Sequence, residues 1–204
     1  VKYMFNIVSK DGIDINNRDN WVAIIGSRNA SKEELAIAYK LAQVCVKKGK
    51  VIVSGLAEGV DTEAHKGAID AGGKTIAILS TSKEENIYPK SNKELAEKII
   101  DNGGLIHPYS TRSPYEYGKK GLSVFQKRLI ERDLIVAKLC PVIVAVKNEP
   151  GPIIGGTKWA TQYGKNYNKK VFRLNNNFEF FENPEVENCK IFWIPEFNVN
   201  QIKE

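Results

Sequence analysis

The chain has 204 residues, 42% of them hydrophobic, enough for one domain with a sizeable core. Lys and Arg total 30 against 24 Asp and Glu, a formal charge of +6 that suits an anionic partner such as nucleic acid or a nucleotide, or simply a lysine-rich surface. No apolar run reaches the length of a membrane span, no signal peptide is visible, the three cysteines (Cys45, Cys140, Cys189) lack CxxC spacing and the two histidines lie far apart; a disulfide framework, a zinc site and membrane contact are therefore not expected, and a reduced, cytoplasmic protein is.

In chain order, Trp21–Gly26, Lys50–Ser54, Thr75–Leu79, Gly104–His107, Pro141–Val146 and Lys170–Leu174 read as strands. They are rich in Val and Ile and lack polar alternation, as strands covered on both faces do. Helical patterns lie between them. Ser31–Lys48 opens with Ser31 and Glu34 at capping-box spacing, carries the stripe Leu35, Ala38, Leu41, Ala42, Cys45, and ends at Gly49. Asp61–Ala71 ends at Gly72-Gly73, and Ser91–Asn102 opens with a second Ser/Glu pair, Ser91 and Glu94. Leu129–Leu139 and Thr157–Tyr163 complete the set. Alternating strands and helices with short joints predict an α/β fold: a doubly wound, mostly parallel Rossmann-like sheet with helices on both faces. A single domain over 1–204 is expected, with its core at 20–174 and strands (Phe178–Phe181, Ile191–Ile194) or an arm at 175–204.

Ligands of such sheets bind past the carboxyl ends of the strands, so the residues there are the candidates. After the first run, Gly26-Ser27-Arg28 precedes a helix, placing amides and a guanidinium where an anion would sit; a tight turn with an exposed Arg is the alternative. The GxGxxG fingerprint is absent. After the second run, Ser54-Gly55-Leu56-Ala57-Glu58-Gly59 offers a hydroxyl and amides, with glycines for close approach. Asp61 is open to two roles, a contact to a sugar or base and a helix N-cap. His65 reads as a structural hydrogen-bonder. Gly155-Gly156-Thr157 opens the last helix, with Lys158 adding charge and Trp159 either stacking or buried. On the helical stretch before Pro141, Lys127, Arg128 and Arg132 read as the wall of a basic groove or as a solvated face, and Phe125 as a surface on which a base could stack. No catalytic residue and no cofactor stands out.

Taken together, VAIIGSR (22–28), VIVSGLAEGVDTEAHKGAI (51–69), GGKTIAIL (72–79), IYPKSNKELAEKI (87–99), RDLIVAKL (132–139) and GGTKWAT (155–161) resemble the DNA-processing protein A family, DprA or Smf, in its Rossmann-like domain. The resemblance covers roughly residues 20 to 174. It implies single-stranded DNA binding, a homodimer, and a role in DNA uptake and recombination with a RecA-type recombinase. By position it implies phosphate contacts from Arg28 and the Ser54–Gly59 loop, a groove lined by Phe125, Lys127, Arg128 and Arg132, and an anion pocket completed by Gly155, Gly156 and Thr157. The chain departs from the family pattern at Asp133 and Leu134, where Asn and Arg are usual, at Glu58, where Arg is favoured, and at Lys138, where Gly is. Neither an N-terminal helical domain nor a winged helix is visible, so a stand-alone, shortened relative is expected. The related lysine decarboxylase-like phosphoribohydrolases carry a catalytic Glu in PGGxGTxxE; the helix after Gly156 holds no Glu here, which makes an N-glycosidic hydrolase, like a nucleotide sensor, the alternative reading.

Overall fold

The computed structural model describes residues 5–109 and 124–189. The six strands expected between residues 20 and 174 form: β2 (Trp21–Ile25), β3 (Val51–Ser54), β4 (Thr75–Ile78), β5 (Gly103–His107), β6 (Val142–Ala145) and β7 (Lys170–Leu174). Two more flank them, β1 (Asn6–Val8) and β8 (Phe180–Glu182). The sheet order is β1-β5-β4-β3-β2-β6-β7-β8, parallel from β5 to β7 and antiparallel at both edges. β1 was not foreseen because a three-residue edge strand carries too short a pattern. β8 begins two residues later than Phe178, since the Asn175 carboxamide accepts from the amides of Asn177 and Glu179 (both 2.9 Å) and holds a turn there. The expected strand at Ile191–Ile194 lies outside the described residues.

The helices are α1 (Lys32–Lys47), α2 (Val60–Asp70), α3 (Lys93–Asp101), α4 (Val124–Leu139) and α5 (Thr157–Asn166). Alternate residues of β2 show how they divide. Val22 and Ile24 pack with Ala38, Ala42, Ala64 and Ala68 of α1 and α2; Trp21, Ala23 and Ile25 pack with Leu134, Ile135 and Ala160 of α4 and α5. Strand pleating thus sends successive side chains into two separate apolar layers, the doubly wound arrangement. α3 joins the α2 side through Leu95, Ala96 and Ile99 against Ala77 and Leu79.

The first capping box forms as expected. The Ser31 hydroxyl accepts from the Glu34 amide (3.1 Å) and the Glu34 carboxylate accepts from the Ser31 amide (2.9 Å). The second does not. A 3-10 turn at Lys90–Asn92 absorbs Ser91, whose hydroxyl donates to Glu58 at 2.7 Å, and α3 starts at Lys93 instead. Asn92 is put to another use: its carboxamide donates to the Leu56 carbonyl (2.8 Å) and the Thr62 hydroxyl (2.9 Å), fastening α3 to the loop after β3.

Candidate nucleic-acid interface

The sheet reverses its winding at β2, which has β3 on one side and β6 on the other. Chains leaving the carboxyl ends of two such strands diverge to opposite faces, and the crevice between them is the usual ligand position. A cavity of about 290 Å³ opens there. Its lining includes Gly26, Ser27, Arg28 and Asn29 after β2, Ala57, Glu58 and Asp61 after β3, Lys147, Gly155, Gly156 and Thr157 after β6, and Arg132 and Asp133 from α4. The three glycine-bearing turns expected from the sequence therefore meet at one rim.

The glycines divide into two kinds by what a Cβ would meet. At Gly26 it would strike the Val60 side chain at 2.6 Å, at Gly55 the Arg132 guanidinium at 2.7 Å, and at Gly59, where φ is +84°, the Ser27 carbonyl at 2.3 Å. These three bring protein segments against one another. At Gly155 nothing lies within 4 Å, and at Gly156 only Asp133 Oδ2 does, at 3.9 Å. These two face open space, and the α5 end they form has no side-chain cap. Its first turn is the part of the rim best suited to an anion.

The Ser54–Gly59 loop is organised from within. Ser54 is fully buried and its hydroxyl donates to the Ile24 carbonyl at 2.7 Å. The amides of Gly55 (3.1 Å) and Ala57 (3.3 Å) donate to one oxygen of Asp61. Asp61 is thus neither N-cap, a position held by Gly59, nor wholly free for a ligand. Leu56 adopts φ +59°, a strained region for a branched side chain, held by its burial and by Asn92 on its carbonyl. Ser54, Gly55 and Leu56 form the wall behind the cavity; Ala57, Glu58 and Asp61 reach its surface.

The basic residues also divide. Arg28 is exposed on the lining, with no hydrogen bond or ion pair to the described residues. Arg132 is buried; its Nε donates to Asp133 at 2.8 Å and its guanidinium also to the Gly55 carbonyl. Arg128 is buried away from the cavity, paired with Glu85 at 3.2 Å and stacked 4.0 Å over the Tyr109 ring. Lys127 lies 4.0 Å from Glu131, and Lys158 pairs with Glu187 at 2.8 Å, both outside the lining. The stretch that seemed a basic wall therefore supplies one pinned arginine to the cavity.

Burial governs the titration of these groups. It pushes Asp61 up to about 6 despite the opposing pull of Arg132, and raises Asp133 as well. His65 sits buried behind the loop, lowered to about 3 by burial and then by Arg132. The Thr75 hydroxyl donates to the Ile52 carbonyl (3.1 Å), so the 2.6 Å contact has His65 Nδ1–H donating to Thr75, a neutral structural histidine.

Lining residues that the sequence reading does not single out as site residues include Lys147, Asn29, Tyr88 and Pro89. Lys147 is the first charge past β6, where the switch-point rule would have found it. Asn29 follows Arg28, and its amide donates to the Ser27 hydroxyl at 3.1 Å. Tyr88 and Pro89 arrive from the segment after β4. The Tyr88 ring, 37% exposed, meets the 38% exposed Phe125 edge-to-face with centroids 4.8 Å apart, so an aromatic pair stands at the mouth. Among the described residues, no group of three or more His, Cys, Asp or Glu is placed to hold a metal ion.

Comparison with known proteins places this geometry. Residues 6–190 match the family model described as DNA recombination-mediator protein A. The chain is 31% identical over 156 residues to Protein Smf of a Synechocystis species, covering 76% of this chain and 36% of that protein. It is 40% identical over 135 residues to DNA processing protein DprA of Streptococcus pneumoniae, covering 65% and 44%. The chain thus matches less than half the length of either relative. The solved structure of the S. pneumoniae protein superimposes with a TM-score of 0.62 at 30% identity, over 78% of this chain and 50% of that one. DNA processing protein A from Helicobacter pylori, a structure described for its single-stranded DNA binding mode, gives 0.65 at 26% identity, over 82% and 69%. A molybdenum cofactor binding protein from Rippkaea orientalis shares the fold, at 0.54 and 22% identity over 78% of this chain and 77% of that one. With nearly the whole sequence matched by the family model, the chain belongs to the DNA recombination-mediator protein A family.

Proposed function

We propose that this chain binds single-stranded DNA, one backbone phosphate resting between the Arg28 guanidinium and the open Gly155-Gly156-Thr157 turn, with a neighbouring base on the Tyr88–Phe125 pair. The observation that carries the reading is the meeting of a cation without a partner among the described residues, a helix start without a side-chain cap and exposed aromatic rings at one switch-point cavity. Phosphate contact and base stacking are the two sequence-tolerant sources of affinity for single strands. Family membership and the H. pylori relative support it. Lys127 and Lys158 lie outside the cavity and would serve only as flanking charges. The homodimer, the RecA-type recombinase partner, the role in DNA uptake and a cytoplasmic location belong to the same proposal; among the described residues no helix is long and apolar enough to cross a membrane.

A filter-binding titration of oligo-dT at several salt concentrations tests the reading. Affinity should fall steeply with salt, and Arg28→Ala should weaken binding and lower the salt slope by about 0.7, the value for one phosphate contact on a single strand. Absence of binding at low salt, or a slope untouched by the substitution, rejects it.

A further inference from the structure

Among the described residues the lining of the cavity is charge-balanced before a ligand arrives. Three cations line it, Arg28, Arg132 and Lys147, and so do three carboxylates, Glu58, Asp61 and Asp133. Arg132 is held by Asp133 and the Gly55 carbonyl. The Lys147 ammonium lies 3.4 Å from the Ile154 carbonyl and 3.9 Å from the Glu149 carboxylate. Arg28 has no such partner among the described residues. Among the described residues a ligand therefore meets one uncommitted side-chain cation and the positive end of α5, with carboxylates on the other walls.

We infer that this cavity selects the singly charged phosphodiester inside a strand over the doubly charged terminal phosphate of a nucleotide. The inference rests on the single-stranded DNA reading and names the phosphate that reading requires. A diester brings one negative charge, which Arg28 and the helix end can match. A terminal monoester carries about 1.5 to 2 charges near neutral pH. Its excess would face Glu58, Asp61 and Asp133 in a partly enclosed site, where repulsion is weakly screened. Asp61 also meets Arg132 and Asp133 from α4 and the amides of its own loop, and among the described residues the lining holds no cation beyond Arg28, Arg132 and Lys147 to absorb that charge.

The test compares two ligands that differ in one charge: thymidine 5′-monophosphate and its methyl diester. Each is titrated by protein-observed NMR, at about pH 7.5 and about pH 5.5, into the full chain, which is separately assayed for oligo-dT binding. At the higher pH the diester should bind on the order of tenfold more tightly, a difference of about 1.4 kcal/mol. At the lower pH the monoester takes up a proton, its second pKa being about 6, and the gap should close to about threefold or less. Asp133→Asn, which keeps an acceptor for Arg132, should raise monoester affinity at the higher pH more than diester affinity. Equal or tighter monoester binding at the higher pH, a gap that ignores pH, or neither compound binding while oligo-dT does, overturns the inference and leaves the DNA reading intact. Failure of oligo-dT itself to bind removes both, and tight monoester binding in that case makes the chain a nucleotide receptor.

Discussion

Replacing Asp61 by Asn should change how stability varies with pH. Asp61 is 6% exposed, and burial lifts its carboxyl from 3.8 to about 6. A folded-state pKa above the unfolded one means that the folded protein holds this proton more tightly. The associated stability is fully present below 3.8 and is lost as pH rises through 6. At about 1.4 kcal/mol per pKa unit the loss is about 3 kcal/mol. His65 acts in the opposite sense: lowered from 6.5 to about 3, it withdraws stability as pH falls through that interval, so the two residues mask one another in the wild type. The difference between variant and wild type cancels the histidine. The Asn oxygen can still accept from the Gly55 and Ala57 amides, since both donate to a single Asp61 oxygen. Urea unfolding of both proteins between about pH 4 and pH 7 should therefore show Asp61→Asn gaining about 3 kcal/mol on the wild type across the range. Parallel profiles would mean that Asp61 ionises without penalty, and the account of a desolvated carboxylate behind the cavity would be wrong.

Three further outcomes follow from the same geometry. Gly59→Ala forces a Cβ to 2.3 Å from the Ser27 carbonyl at φ +84° and should destabilise by about 3 kcal/mol or more, whereas Gly49→Ala, at φ +77° with nothing within 4 Å, should lose only about 1 kcal/mol; equal losses in urea unfolding would show that the backbone angle alone matters. Arg132→Met strands Asp61 and Asp133 without their shared cation and should lose about 3 to 5 kcal/mol near pH 7, partly recovered in acid as the carboxylates protonate; a loss below about 1 kcal/mol would show the cluster to be solvated. Tyr88→Ala should weaken oligo-dT binding by about 1 to 3 kcal/mol in fluorescence anisotropy while leaving the thermal midpoint nearly unchanged, because the ring is 37% exposed; unchanged affinity would remove the stacking surface from the interface.

Much of the fold was legible in the sequence because it is governed locally. Runs such as VIVS and VIVA form buried strands, Ser31 and Glu34 close a helix start through their own side chains and backbone amides, and Gly49 and Gly72 follow the ends of α1 and α2. The doubly wound order followed from their alternation, and with it the rim at which Gly26, Ala57 and Gly156 meet. What the glycines are for was decided elsewhere. Gly55 makes room for Arg132, a residue 77 positions away, and Gly59 for the Ser27 carbonyl, while Gly155 and Gly156 look outward. No local pattern distinguishes these cases, since each depends on which distant atom packs opposite. The same holds for charge. Lys127, Arg128 and Arg132 look alike along the helix, yet only Arg132 reaches the cavity, and there it is pinned by Asp133. Residue type sets the charge a position carries, but partner and depth of burial set whether that charge is free to act, and both arise only when segments far apart in the chain are brought together.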